Sequence, residues 1–319
     1  MLDEFFFSAN AVFPIFLVIA MGYLLRRKGF LSANTVGEMN RLVFTFALPM
    51  LLFRNIYQSD FAALLDLGFI LWVLGSIIII FVLLWVFAEL FLRKQKELIG
   101  AFVQASLRSN FAIVGIPLVA NMMEGQDTGL ATLAAAFIVT SYNVLSVVVL
   151  TAKDAKNGPL NAALFKSMGW GIIKNPSIIG IVCGVVVNLL NIPLPVIAQA
   201  GINYMAVLCT PLALLSVGGS IQVSEMMGYL KPAVVASALK IVVTPFVFVA
   251  ASVWMGFRGE TLAVLFVMFA NPTAILSYVM AVRMNGHGPV TSAVILITTV
   301  FSSITLTLGV YLLRIMSLV

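Results

Sequence analysis

Charged residues are rare in this sequence of 319 residues, since Asp, Glu, Lys and Arg together account for 9% of it. A soluble globular domain carries roughly 25% charged residues, so that class of protein is excluded. Hydrophobic residues make up 62% of the chain, and the mean hydropathy is +1.12. The composition therefore predicts a protein that is embedded in a lipid bilayer.

Histidine and cysteine are also scarce, which limits the chemistry open to the chain. The one histidine, His287, lies in a polar connection, and Cys183 and Cys209 lie in apolar runs without metal-ligand or redox spacing. The apolar runs contain no carboxylate pair, phosphate-binding glycine loop or nucleophile motif. We therefore predict no catalytic residue, no metal and no cofactor. A membrane-embedded enzyme is the weaker alternative, and so is a channel, because no ring or filter of repeated polar residues is visible.

Apolar runs of membrane-spanning length fill most of the chain. A helix needs about 20 apolar residues to cross the hydrocarbon core, and ten runs approach that length. Their approximate bounds are 9–27, 36–58, 67–92, 98–121, 129–152, 170–191, 195–221, 231–256, 260–283 and 289–315. Asp3 and Glu4 replace the basic region of a cleavable signal, so we expect the first run to remain as a helix.

The charges between the runs alternate in sign. Basic residues gather after the first, third and fifth runs, and acidic residues gather at the N-terminus and after the second and fourth. Cytoplasmic connections of membrane proteins are enriched in Lys and Arg. The pattern places the odd connections in the cytoplasm and both termini outside. The net charge of +6 thus indicates topology, and no nucleic-acid partner is predicted.

Helix-breaking residues recur at a spacing of about 162 residues, which indicates an internal repeat. The matching pairs are Pro14 and Pro176, Gly22 and Gly184, Pro49 and Pro211, and, one residue closer, Asn110 and Asn271. We predict a first five-helix repeat at 1–152, a cytoplasmic linker at 153–169 and a second five-helix repeat at 170–319. Because five is odd, the second copy enters the membrane from the opposite side. Inverted repeats of this kind are typical of secondary transporters.

The fourth run of each copy contains residues that weaken a helix. Gly115 and Pro117 lie in SNFAIVGIPLV (109–119), and Pro272 lies in FANPTAILSYVMA (269–281). We expect each helix to break near mid-membrane, since proline removes a backbone donor and clashes with the preceding turn. Freed backbone groups are tolerated at that depth only when protein or a wet cavity surrounds them. The side chains predicted to line such a cavity are Ser109, Asn110, Asn271, Thr273, Ser277 and Tyr278.

The breaks also predict the sign of the charge on the ligand. The N-terminus of a half-helix presents free amide hydrogens and a partial positive charge, which favours an anion. Arg108 and Lys240 lie deep in their runs and are candidates for the same site. The alternatives are that Arg108 binds a free carbonyl at the break and that Lys240 reaches along its stem to the interface. Thr210, next to Pro211, is a further candidate for substrate contact.

Four stretches resemble the auxin efflux carrier family, which includes plant PIN transporters and compact bacterial carriers proposed to move malonate, malate and similar acids. They are MNRLVFTFALPMLLF (39–53), NFAIVGIPL (110–118), LKIVVTP (239–245) and NPTAILSYVMA (271–281). The resemblance implies a crossover of two broken helices, substrate contact by the asparagine at 110, a movable transport domain on a scaffold, and a homodimer in the bacterial inner membrane. Met50, Leu51 and Leu52 replace the polar residue that follows the proline in plant members, so auxin is not the expected substrate.

The expected fold is an all-α membrane protein with ten transmembrane helices in two inverted five-helix repeats, whose broken fourth and ninth helices cross at mid-membrane. The expected function is secondary transport of mono- or dicarboxylates by alternating access. The same overall fold is shared with the bile acid:sodium symporters, so sodium-coupled symport of larger organic anions is the alternative. No carboxylate lies close to either break, and the sequence leaves open whether sodium, a proton or no ion is coupled to transport.

Overall fold

The computed structural model describes residues 2–58, 66–124, 128–152, 174, 176–221, 227–283 and 287–319. Throughout these ranges the regular secondary structure is helical, and the extended pairing is limited to one isolated bridge, between Ser109 and Thr273. In the part of the chain that the structure describes, seven helices are long and apolar enough to cross a membrane. The chain is therefore an all-α membrane protein. The predicted linker at 153–169 lies outside the described residues.

We number the helices in chain order. The first six are α1 Leu2–Arg27, α2 Ala33–Gln58, α3 Leu67–Phe91, α4 Ile99–Leu107, α5 Phe111–Met122 and α6 Gly129–Ala152. The others are α7 Pro176–Leu189, α8 Val196–Gly219, α9 Leu230–Trp254, α10 Gly259–Ala270, α11 Leu276–Arg283 and α12 Gly288–Ile315. The predicted runs 98–121 and 260–283 each contain two of these helices, separated by a short extended segment.

Three of these described helices contain a wide π-helical turn, and each turn comes just before a proline. The turns are Val43–Ala47, Phe111–Gly115 and Leu239–Val243, and the prolines are Pro49, Pro117 and Pro245. Proline lacks a backbone N–H and crowds the carbonyl four residues earlier. A local π turn accommodates both defects while the helix continues. These prolines are therefore tolerated inside α2, α5 and α9.

This arrangement corrects the expectation that Gly115 and Pro117 break their helix. The interruption comes earlier, at Arg108–Asn110, and Pro117 lies at the start of the α-helical part of α5. The π turn is the physical reason, because it supplies the space that Pro117 needs without ending the helix. Pro272 differs, since it lies within the extended segment between α10 and α11.

Glycines allow two pairs of helices to touch through their backbones. A methyl group on Gly218 of α8 would lie 1.9 Å from the carbonyl oxygen of Ile19 in α1, and one on Gly180 of α7 would lie 2.4 Å from that of Pro49 in α2. Both distances are shorter than real contacts between a carbon and an oxygen that are not bonded to each other. The helices α1, α2, α7 and α8 form one group in this way, and α3, α4 and α6 pack beside α9, α10 and α12.

Candidate functional site

The two interrupted helices meet at their interruptions. The chain is extended between α4 and α5 and again between α10 and α11, and Ser109 pairs with Thr273 there as an antiparallel bridge. Asn110 donates its backbone N–H to the carbonyl oxygen of Pro272 at 2.9 Å, and Ala274 donates to that of Arg108 at 3.2 Å. Each break thus supplies one backbone hydrogen-bond acceptor to the other, and such partners are needed in an apolar membrane interior.

Side chains satisfy the carbonyl groups at the ends of the half-helices. The Thr273 hydroxyl donates to the carbonyl oxygen of Ala105, near the end of α4, at 2.7 Å. The Lys240 ammonium donates to that of Phe269, near the end of α10, at 3.2 Å. Lys240 is 1% exposed, so it does not reach the interface. A cation at a helix C-terminus also meets the negative end of the helix dipole.

Asn271 and Gly115 are packed together inside the crossing. Asn271 is fully buried, and its amide nitrogen lies 3.5 Å from the carbonyl oxygen of Asn110. A methyl group on Gly115 would come within 2.7 Å of that nitrogen. Gly115 is thus needed as the space into which the Asn271 side chain fits.

A cavity of about 470 Å³ opens beside the crossing. Three predicted site residues line it: Arg108, Ser109 and Asn110. Its polar lining also includes residues outside the predicted site, which are Asn40, Tyr142, Asn143, Lys174 and Ser177. Asn143 is a polar residue in the middle of a long apolar run, which is the signal that could have identified it.

Free backbone N–H groups surround this cavity. Three backbone amides at the start of α5 and two around the start of α11 have no hydrogen-bond acceptor within the described ranges. These amides belong to Phe111, Ala112, Ile113, Ile275 and Leu276, and all of those residues line the cavity. Helix N-termini carry a partial positive charge. Two of them therefore contribute to one cavity.

Side chains add further positive charge to this cavity. The Arg108 guanidinium is buried and donates to the Asn143 amide oxygen at 2.7 Å, with Ser146 Oγ and Met280 Sδ at 3.4 and 3.1 Å. Its partners are therefore neutral side chains, and the carbonyl contact considered from the sequence is not the one observed. The described residues that line the cavity include Arg108 and Lys174 and no carboxylate. The arrangement can hold an anion.

The remaining predicted residues lie around this cavity or outside it. Thr273 and Ser277 are buried within the crossing, and Tyr278 lines a second cavity that also shares Asn40 and Ile275 with the first. Thr210 lines a third cavity together with Pro117. In the part of the chain that the structure describes, no group of His, Cys, Asp or Glu residues could hold a metal ion.

Long apolar helices, a buried crossing of two interrupted helices and a polar cavity beside it define a multi-pass membrane transport protein. The chain belongs to the family described as membrane transport protein, whose model matches residues 7–310. This confirms the resemblance to the auxin efflux carrier family. Since the family and the relatives below are transporters, the chain is not an enzyme.

Three relatives match over nearly their whole length. A Rhizobium meliloti protein named "Putative malonate transporter" is 27% identical over 95% of this chain and 95% of its own. An uncharacterized transporter of Methanothermobacter thermautotrophicus is 24% identical over 94% of this chain and 97% of its own. One from Methanocaldococcus jannaschii is 20% identical over 94% and 96%.

Proposed function

We propose that this protein is a secondary transporter of small organic anions, namely mono- or dicarboxylates such as malonate or malate. The observation that carries the proposal is the set of free backbone N–H groups from two helix N-termini around one cavity that Arg108 also lines. A carboxylate accepts several such hydrogen bonds at once. The name of the Rhizobium meliloti relative supports malonate as the first substrate to test.

The proposed mechanism is alternating access around ten spans in two inverted repeats. The packing supports the repeat: α1 packs on α8, and α7, which corresponds to α1 at the offset of 162, packs on α2, which corresponds to α8. In this scheme α1, α2, α7 and α8 form the scaffold. The other helices carry the crossing past it, as elevator-like or rocking movements of one bundle against another do in transporters.

The proposed topology places both termini outside the cytoplasm, in the inner membrane of a bacterial cell. The alternating charges of the connections support it. Arg314, the basic residue near the C-terminus, runs against this pattern, but its guanidinium pairs with the Glu4 carboxylate at 2.6 Å. The homodimer implied by the family remains a prediction.

Within the site, Asn110 is proposed to hold a polar group of the substrate, and the free amides and Arg108 to offset its charge. Asn271, Thr273 and Lys240 are proposed to hold the crossing in shape, because their polar atoms face helix ends and the buried backbone. Ser277, Tyr278 and Thr210 remain candidates for contact at other positions of the transport cycle.

Sodium-coupled symport of larger organic anions is the second candidate. It is supported by buried oxygen atoms that have no hydrogen-bond partner within the described residues, the Gln104 and Asn271 amide oxygens. Amide oxygens of this kind are suitable ligands for a hard cation. Sodium dependence of uptake distinguishes the two candidates.

The test is uptake of labelled malonate and malate by purified protein in liposomes, with sodium or choline in the buffer and at two pH values. We expect uptake by the wild type and loss of uptake in Asn110→Ala, with little change in thermal stability. Asn188→Ala is the control, because Asn188 carries a partly buried amide that bonds the α2 backbone at Ile56 and Tyr57. Normal uptake by a folded Asn110→Ala protein would refute the assignment of Asn110.

A further inference from the structure

A cavity of about 480 Å³ lies on the other side of the crossing from the proposed substrate site. It is lined by side chains from the last turns of α2, from α5 and from α8, among them Arg54, Gln58, Asn121 and Thr210. In the proposed topology, this end of α2 faces away from the cytoplasm. Apart from Thr210 and Pro117, its lining residues are not among the predicted site residues.

A thin apolar layer separates the two cavities. On α2, Leu48 and Leu52 line the first cavity and Leu51 lines the other. On α5, Ile113 lines the first and Ile116 the other. These side chains are at most 7% exposed. Residues about one helical turn apart on the same helix therefore line different cavities. This is expected if the two cavities are the two mouths of one pathway.

Among the described residues that line this third cavity, Arg54 is the charged one. Its guanidinium donates to the Asn203 amide oxygen at 2.8 Å and to the Asn55 amide oxygen at 3.4 Å, and its Nε has no partner. Within the described ranges it forms no salt bridge. Its partners are neutral amides, so they orient the guanidinium without cancelling its charge.

We propose that Arg54 forms a second anion-binding subsite, which takes a carboxylate group at the mouth opposite to the cavity beside the crossing. Asn203 and Asn55 each accept one hydrogen bond, from different terminal nitrogens of the guanidinium. Its remaining donors are available for the two oxygens of a carboxylate, a geometry that arginine matches better than lysine does. As a transport subsite this rests on the proposed function, whereas the affinity for anions does not.

The experiment measures the electrostatic field in the cavity directly. Thr210→Cys is made in a protein whose native cysteines, Cys183 and Cys209, are replaced by alanine. The rates of labelling with a negatively charged sulfonatoethyl and a positively charged trimethylammonioethyl methanethiosulfonate are then compared. We expect the anionic-to-cationic rate ratio to fall about tenfold in Arg54→Gln, because a unit charge in a partly wet cavity acts in opposite directions on the two reagents.

Arg258→Gln is the matched control. Arg258 is an exposed arginine that bonds the carbonyls of Val253 and Phe257 and lies outside the cavity lining, so its loss should leave the ratio unchanged. Arg54→Lys should keep the anionic-to-cationic rate ratio, because the charge remains. Malonate should slow labelling in the protein with Arg54 but not in Arg54→Lys. An unchanged ratio in folded Arg54→Gln overturns the subsite, even if malonate is transported. A tenfold fall without any malonate transport would support the subsite while the proposed function fails.

Discussion

Thr273→Val tests whether side chains hold the crossing together. The Thr273 hydroxyl is the donor to the Ala105 carbonyl oxygen, at 2.7 Å, and Thr273 is 1% exposed. Ala105 lies in the last turn of α4, where the backbone of the same helix offers no further N–H. Valine has nearly the same shape but cannot donate, so the variant leaves a buried carbonyl without a partner.

The expected cost is about 1–3 kcal/mol, the usual penalty for a buried unsatisfied polar group. At roughly 2–4 °C per kcal/mol for a large chain, Tm should fall by about 2–12 °C. Thr307→Val is the matched control. Thr307 is 4% exposed and also donates to a carbonyl at 2.7 Å, that of Ser303. That carbonyl lies inside α12 and has a helical partner as well.

Thermal unfolding in detergent, followed by tryptophan fluorescence, measures both variants. Thr307→Val should remain within about 2 °C of the wild type, since hydrogen bonds in membrane proteins average only about 0.6 kcal/mol when no group is stranded. Thr273→Ser should recover most of the loss because it restores the donor. Equal Tm values for Thr273→Val and Thr307→Val would refute the idea that the helix end depends on this hydroxyl.

Two further variants examine neighbouring contacts. Gly115→Ala should lower the free energy of unfolding by about 1–3 kcal/mol, the cost of overpacking a filled interior, because its methyl group would lie 2.7 Å from the Asn271 amide nitrogen. Gly201→Ala is the control, since a methyl group there meets nothing within 4 Å. An unaltered Tm for Gly115→Ala would contradict the close packing. Lys240→Met should reduce both Tm and the maximal uptake rate, since the Phe269 carbonyl loses its donor. Lys231 is exposed, so Lys231→Met should behave as the wild type. A fully active, equally stable Lys240→Met protein would exclude a positioning role.

Several features of the site could be predicted from the sequence, because they depend on residue type and spacing along one helix. Asn110, Ser109 and Arg108 are polar residues inside an apolar run, and the structure places all three on one cavity. The position of the break was less predictable. Pro117 gives a strong local signal, but a π turn accommodates it. The chain leaves the helix earlier, at Arg108, where residues of another segment supply hydrogen-bond partners.

The sequence by itself determined that this chain is a membrane protein built from long apolar helices, because the hydrocarbon interior requires that composition and excludes most others. It also contained the motifs of a membrane transport family. Only the tertiary structure decided which polar residues meet. Asn143 and Arg108 are 35 residues apart in sequence, and Lys240 reaches a carbonyl 29 residues away. Such pairings depend on how whole helices pack, and local sequence carries no record of a distant partner.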